Sequence, residues 1–146
     1  MMSSAPRFWT EACMTAVAAA FNTSPRFQRA AKSFSETLIL RCLDTPDGLD
    51  CAVSFFFKKG SCVAHDFRSA PAPAPMRREP FDKEQAMIRS TAPYELWVKL
   101  DRAEINVAQA IVSPSYNIEG SKLKIMRFIG VLTAMSAVVA EVEKTY

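Results

Sequence analysis

The sequence predicts an α+β domain. Apolar residues recur at three- and four-residue spacings near both ends of the chain, the mark of helices with one buried face. Between them lie segments of strict apolar alternation separated by tight-turn residues, the mark of strands. A length of 146 residues supports one domain spanning 1–146 with a sizeable core and no need of disulfides or metals.

The elements follow in order. Pro6 and Arg7 open a helical stretch to about Phe21, with Phe8, Ala12, Ala16, Ala19 and Ala20 on its apolar stripe. Asn22-Thr23-Ser24-Pro25 stops it and starts another, in which Ser24 caps and Pro25 takes the first helical position. Phe27, Ala30, Ala31 and Phe34 form the second stripe. Thr37–Leu43 is rich in β-formers, and Thr45-Pro46-Asp47-Gly48 is a turn. Leu49–Phe57 follows, with Leu49, Cys51, Val53, Phe55 and Phe57 on one face. Lys58-Lys59-Gly60 turns the chain into Ser61–Phe67. Three strands joined so tightly read as an antiparallel meander.

Residues 68–80 form a proline-rich connector. Its Ala70–Pro75 run lacks alternate N–H donors and reads as a link between strands. Glu84–Ala92 reads as a fourth strand, with a helix as the competing assignment. Pro93 opens a helix containing Tyr94, Trp97, Val98 and Leu100, and Glu104–Ile111 is another that Ser113-Pro114 ends. A short strand is expected around Leu123-Lys124-Ile125. A long helix from Arg127 to Glu143 closes the series, apolar on nearly every side.

Composition excludes several classes. Apolar residues make up 49%, too many for a disordered chain. The net charge of +3 is spread along the chain with no like-charge run beyond two residues, a poor footprint for nucleic acid. The apolar run Phe128–Ala140 is too short for a membrane span. Ala12–Phe21 resembles the core of a signal peptide, but Glu11 abuts it and Arg7 is the only basic residue before it, so a cytoplasmic, reduced protein is expected. Cys13, Cys42, Cys51 and Cys62 form no CxxC pair and read as free, buried small hydrophobes; no metal or other cofactor is signalled.

Catalytic chemistry is equally sparse. His65 is the sole histidine, and its strand neighbour Asp66 points to the opposite face. The four glycines draw no phosphate loop. An enzyme is therefore disfavoured; if one exists, Arg89 or Tyr94 is its candidate centre. The chain instead carries an excess of greasy side chains, from Phe55-Phe56-Phe57 through Leu96 and Trp97 to Met126, Phe128, Ile129, Leu132 and Met135. Taken singly these are core; taken together they can enclose an apolar cavity.

The order of elements also resembles the sterol carrier protein type-2 family in its bacterial form. The resemblance rests on Phe21-Asn22-Thr23-Ser24-Pro25-Arg26-Phe27 and Phe34-Ser35-Glu36-Thr37-Leu38, and on the Asp47-Gly48 and Lys59-Gly60 turns. Pro93-Tyr94-Glu95-Leu96-Trp97 and Glu119-Gly120-Ser121-Lys122-Leu123-Lys124-Ile125 complete it. The connector at 68–80 departs from the pattern, as does Asp101-Arg102-Ala103-Glu104, where a glycine is usual. The resemblance implies a mostly antiparallel five-stranded sheet covered by helices, with a hydrophobic tunnel. It implies noncovalent binding of sterols, fatty acids, fatty acyl-CoA or phospholipids, or service as an accessory subunit of a larger acyl-CoA or steroid-CoA enzyme. Transient contact with a membrane surface fits the same reading. The tunnel wall is expected to comprise Phe55, Phe57, Met87, Trp97, Leu100, Ile111, Ile125, Ile129, Leu132 and Met135, with Lys122, Lys124 and Arg127 holding an anionic head group.

Overall fold

A computed structural model describes residues 5–146. Five strands form one sheet: β1 (Thr37–Leu43), β2 (Leu49–Lys58), β3 (Ser61–Pro71), β4 (Ile88–Pro93) and β5 (Asn117–Gly120), in the order β3-β2-β1-β4-β5. The helices are α1 (Glu11–Thr23), α2 (Pro25–Ala30), α3 (Tyr94–Asp101), α4 (Val107–Ile111), α5 (Lys122–Arg127) and α6 (Ile129–Glu141), with one turn of 3-10 helix at Pro75–Arg78. The sheet is mixed. β1–β2, β2–β3 and β4–β5 run antiparallel, and β4 returns parallel to β1 with Leu40 opposite Ser90.

Alternation sets the inner face. Leu38 and Cys42 of β1, Cys51, Val53, Phe55 and Phe57 of β2, and Ile88 and Ala92 of β4 are all buried in one core with the helices. The expected face of β2 is thus present, and its rings pack closely. Phe21 lies 4.8 Å from Phe27 and 5.2 Å from Phe55, ring centre to ring centre, the latter edge-on as aromatic quadrupoles prefer. All four cysteines are free and buried. Burial pushes the Cys42 thiol well above its usual range and that of Cys51 to about 11.

Several element boundaries differ from the sequence reading, each for a local reason. α1 starts at Glu11 because Thr10 is its cap, accepting a hydrogen bond from the Cys13 amide; Trp9 sits at φ 60°, outside any right-handed helix. Pro6 and Arg7 instead run beside Thr145, through Phe8 N–Thr145 O and Thr145 N–Pro6 O hydrogen bonds. β4 starts only at Ile88, since Asp82 organises a turn through its contacts with the Glu84, Gln85 and Ala86 amides. The last strand is Asn117–Gly120, not Leu123–Ile125. Ser121 caps a helix there, accepting from the Lys124 amide. The expected terminal helix is present as Ile129–Glu141, and Phe128 separates it from the unexpected helix Lys122–Arg127.

The proline-rich connector also differs. Ala70 and Pro71 belong to β3, where an edge strand tolerates a missing donor. Residues beyond them fold back over the outer face of the sheet, where Ala74 and Met76 pack on Ala52 to form a small second core. Beneath this cover lies fully buried Asp50, which accepts from Arg77 Nε at 2.6 Å and from the Ala74 amide at 2.8 Å. Burial pushes the Asp50 carboxyl up, but the bonds from Arg77 and from the Ala74 and Asp44 amides outweigh it and hold it at about 2.

Candidate functional site

An apolar cavity lies between the inner sheet face and the helices. Leu40, Phe55, Ile88, Ser90 and Ile118 form its floor. Met14 and Val17 of α1, Trp97 and Leu100 of α3, Ala110 and Ile111 of α4, and Leu132, Met135, Ser136 and Val139 of α6 form its walls, closed by Phe8, Trp9, Asp101, Val107 and Tyr116. Its volume, counted as the space open to the centre of a water molecule, is about 80 Å³. The space is therefore narrow. Partly exposed lining residues occur on α3 and α4 (Leu100, Val107, Ile111), on α6 (Ser136, Val139) and on the sheet side (Leu40, Tyr116, Ile118).

Aromatic packing fixes the back of the cavity. Trp9 and Trp97 lie 5.3 Å apart between ring centres, and Tyr116 stands 6.0 Å from Trp97. The Trp97 indole N–H donates to the Arg41 carbonyl at 3.0 Å, so this side chain is locked. Burial pushes the Tyr116 phenol up; the neighbouring Ser90 hydroxyl opposes this. At one end Asp101 takes both carboxylate oxygens to Lys144 Nζ, at 3.0 and 3.1 Å, and accepts a short hydrogen bond from the Tyr146 hydroxyl. Burial and the adjacent Asp101 carboxylate push the Tyr146 phenol up to about 12.

Of the wall residues expected from the sequence, Phe55, Trp97, Leu100, Ile111, Leu132 and Met135 line this cavity. Phe57 does not. It is held in the Phe21–Phe27–Phe34 cluster, within 5.5 Å of each ring centre. Met87 borders shallow surface grooves, Ile125 is buried under α5, and Ile129 is 37% exposed. Sequence reasoning missed Phe8, Trp9, Met14 and Val17; assigning the first two to a regular helix hid their approach to the cavity. It also missed Ser90, although its inward place between Ile88 and Ala92 was legible from alternation.

The candidate polar residues lie elsewhere. Lys122, Lys124 and Arg127 sit on α5, outside the cavity; Lys124 Nζ pairs with Glu36 at 3.3 Å, and Arg127 lies 6.0 Å over the Phe128 ring. Arg89 points to the outer sheet face, bound to Glu119 at 2.8 Å and to the Glu79 carbonyl at 2.9 Å. Tyr94 packs against Phe8 and does not reach the cavity lining. His65 contacts the Thr15 hydroxyl at 3.2 Å, and Asp66 is exposed.

The architecture just described is that of sterol carrier protein 2. A crystal structure of sterol carrier protein 2 superposes with a TM-score of 0.74 at 16% identity, over 94% of this chain and 100% of that one. A conserved hypothetical protein of Thermus thermophilus gives 0.73 at 18% identity, over 98% and 94% of the two chains. A ubiquinone synthesis protein, UbiJ-SCP2, gives 0.50 at 14% identity, over 90% and 89%. No family model and no curated protein matches the chain by sequence. What is common to these structures at such identities is the fold.

Proposed function

We propose that this protein binds a hydrophobic ligand of the lipid class (sterol, fatty acid, fatty acyl-CoA or phospholipid) in the cavity, noncovalently, and carries or presents it. The observation that carries this reading is the composition of the wall: a lining made mostly of Phe, Trp, Leu, Ile, Val and Met from both sheet and helices, interrupted by Ser90, Asp101, Tyr116 and Ser136. Such a lining offers little to a polar ligand and much to an alkyl chain or ring system. At about 25 cal/mol per Å² of apolar area, a few hundred Å² of ligand surface gains several kcal/mol before the costs of ordering. The cavity's water-accessible part is far smaller than a lipid, so loading requires the cavity to widen. No helix among the described residues is long and apolar enough to cross a membrane.

Gentle native mass spectrometry of the purified protein, followed by solvent extraction, tests the proposal. A stoichiometric co-purified lipid, or saturable uptake of a fluorescent fatty-acid or sterol probe, is the expected result. An empty protein that takes up neither probe overturns it.

A second reading, an accessory subunit on a larger acyl-CoA or steroid-CoA enzyme, is favoured by one observation. Helix α5 exposes Leu123 and Met126 at 84% and 73%, flanked by Lys122, Lys124 and Arg127. An apolar pair ringed by cations suits an anionic partner or membrane face better than it suits a head group inside the cavity. Reversing the charges of Lys122 and Lys124 separates the two. Loss of acyl-CoA affinity supports head-group contact, and unchanged affinity with weaker recovery of a partner supports docking.

A further inference from the structure

Among the described residues, two buried side-chain polar atoms have no hydrogen-bond partner: Trp9 Nε1 and Ser90 Oγ. Both residues line the same cavity, and Trp9 also borders a second, more polar groove beside Arg7 and Thr10. Trp9 is 3% exposed and Ser90 1%. The Tyr116 phenol neighbours Ser90 but makes no well-formed hydrogen bond to it. Other buried polar groups are matched: Arg41 to Thr91, Asp50 to Arg77, Asp101 to Lys144. The neighbouring indole of Trp97 has its carbonyl. A buried donor left without an acceptor costs free energy that native proteins rarely leave uncompensated.

We propose that the cavity's ligand carries a hydrogen-bond-accepting oxygen within its apolar body, held by the Trp9 indole N–H and the Ser90 hydroxyl. This rests on the lipid-binding reading and narrows it. An indole N–H only donates, so its partner is an acceptor: a ketone, ester, ether or hydroxyl oxygen, not an alkyl chain or an ammonium group. A serine hydroxyl donates or accepts and suits the same atom or a second one.

Position supports the pairing with a ligand. Ser90 faces inward from the middle of the sheet, opposite Leu40 on one side and Ile118 on the other. Trp9 is fixed from outside the cavity. Its carbonyl accepts from the Cys51 thiol at 3.6 Å, and the Phe8 amide beside it is tied to Thr145. Its indole is packed 5.3 Å from the Trp97 ring and 6.0 Å from the Phe8 ring, away from solvent. A buried water is typically held by about three protein bonds. Here two free atoms stand in largely apolar surroundings, which suits an oxygen delivered by a larger apolar molecule.

The test uses octadecanoate and its 6-, 9- and 12-oxo derivatives, which differ by one mid-chain carbonyl. Binding to the wild type, Trp9→Phe and Ser90→Ala is followed by calorimetry, with thermal melts to check folding. At least one oxo acid is expected to bind about tenfold tighter than octadecanoate, the size expected of one well-made buried hydrogen bond. That advantage is expected to vanish in Trp9→Phe and shrink in Ser90→Ala. A second readout needs no variant: the Trp9 indole proton resonance moves downfield with the preferred oxo acid, while that of Trp97, already bonded, stays in place. Octadecanoate binding with no oxo preference, or a preference that survives both substitutions, overturns this inference and leaves the lipid reading standing. Failure of every acid to bind overturns this inference, and the lipid reading falls with it only if the sterol probe is refused as well.

Discussion

Lys144 Nζ lies 3.0 Å from an Asp101 carboxylate oxygen, and the two side chains are only 3% and 1% exposed. The pair ties the C-terminal segment to the end of α3 at the wall of the cavity. Lys144 also donates to the Val139 carbonyl at 2.6 Å and stands 5.4 Å over the Phe8 ring. Removing one member of such a pair strands the other charge away from water, at a cost of about 3–5 kcal/mol. Lys144→Met is therefore expected to be strongly destabilising in urea unfolding. The double variant Lys144→Met, Asp101→Leu recovers a large part of the loss, because no charge is then left behind. A double variant no more stable than Lys144→Met contradicts this account.

Asp50 gives stability a defined acid limb. Its carboxyl titrates at about 2 in the folded protein against 3.8 ordinarily, so its contribution is present above pH 4 and lost as pH falls toward 2. The difference amounts to about 2 kcal/mol. Asp50→Asn is expected to be less stable than the wild type at pH 7 and to close that gap by pH 2. Parallel denaturant curves at the two pH values measure it.

Gly60 and Gly48 make a matched comparison. Both hold positive φ, 83° and 75°, but a Cβ at Gly60 would meet the Ala31 carbonyl oxygen at 2.7 Å, while one at Gly48 meets nothing within 4 Å. Gly48→Ala bears only the conformational penalty, about 1 kcal/mol. Gly60→Ala bears that and the displacement of the α2 end, and is expected to be the more destabilising of the two by thermal melt. Equal losses would refute the contact.

Ala110→Phe tests the cavity by filling it. Ala110 is 1% exposed and faces the space from α4. A phenyl ring there occupies the volume a ligand needs, so uptake of a fluorescent fatty-acid probe is expected to fall at least tenfold. Overpacking costs about 1–3 kcal/mol, which leaves a folded protein to measure. Full uptake by a folded Ala110→Phe would place the ligand elsewhere.

The sheet's interior was legible because period-two patterning is a direct consequence of strand geometry. Cys51, Val53, Phe55 and Phe57 could only share a face. The parallel partnership of β1 with β4 was not legible, since it depends on which strand docks beside Leu38–Leu43 after a long excursion. Nor was the outer cover: nothing local says that Ala74 and Met76 return to Ala52, or that Arg77 finds Asp50. Ser121 did carry a helix-start signal before Lys122, overridden in the reading by the β-formers Leu123 and Ile125. The cavity wall was half legible for the same reason. Phe55, Trp97, Leu132 and Met135 come from clear patterns, whereas Trp9 arrives through a left-handed residue between two elements.

The cover on the outer face has a consequence for how the molecule breathes. With β1, β2 and β4 sealed by the 3-10 turn and its ion pairs on one side and by the core on the other, the sheet is braced from both directions. Local opening is then left to the five-residue helix α4, whose only buried residue is Ala110. Amide exchange should divide accordingly. Protons of β1 and β4 would persist until the whole chain unfolds, while those of α4 would be lost orders of magnitude sooner. A bound ligand would slow only the second group. The exchange map thus becomes a trace of the entry route, readable without knowing what enters.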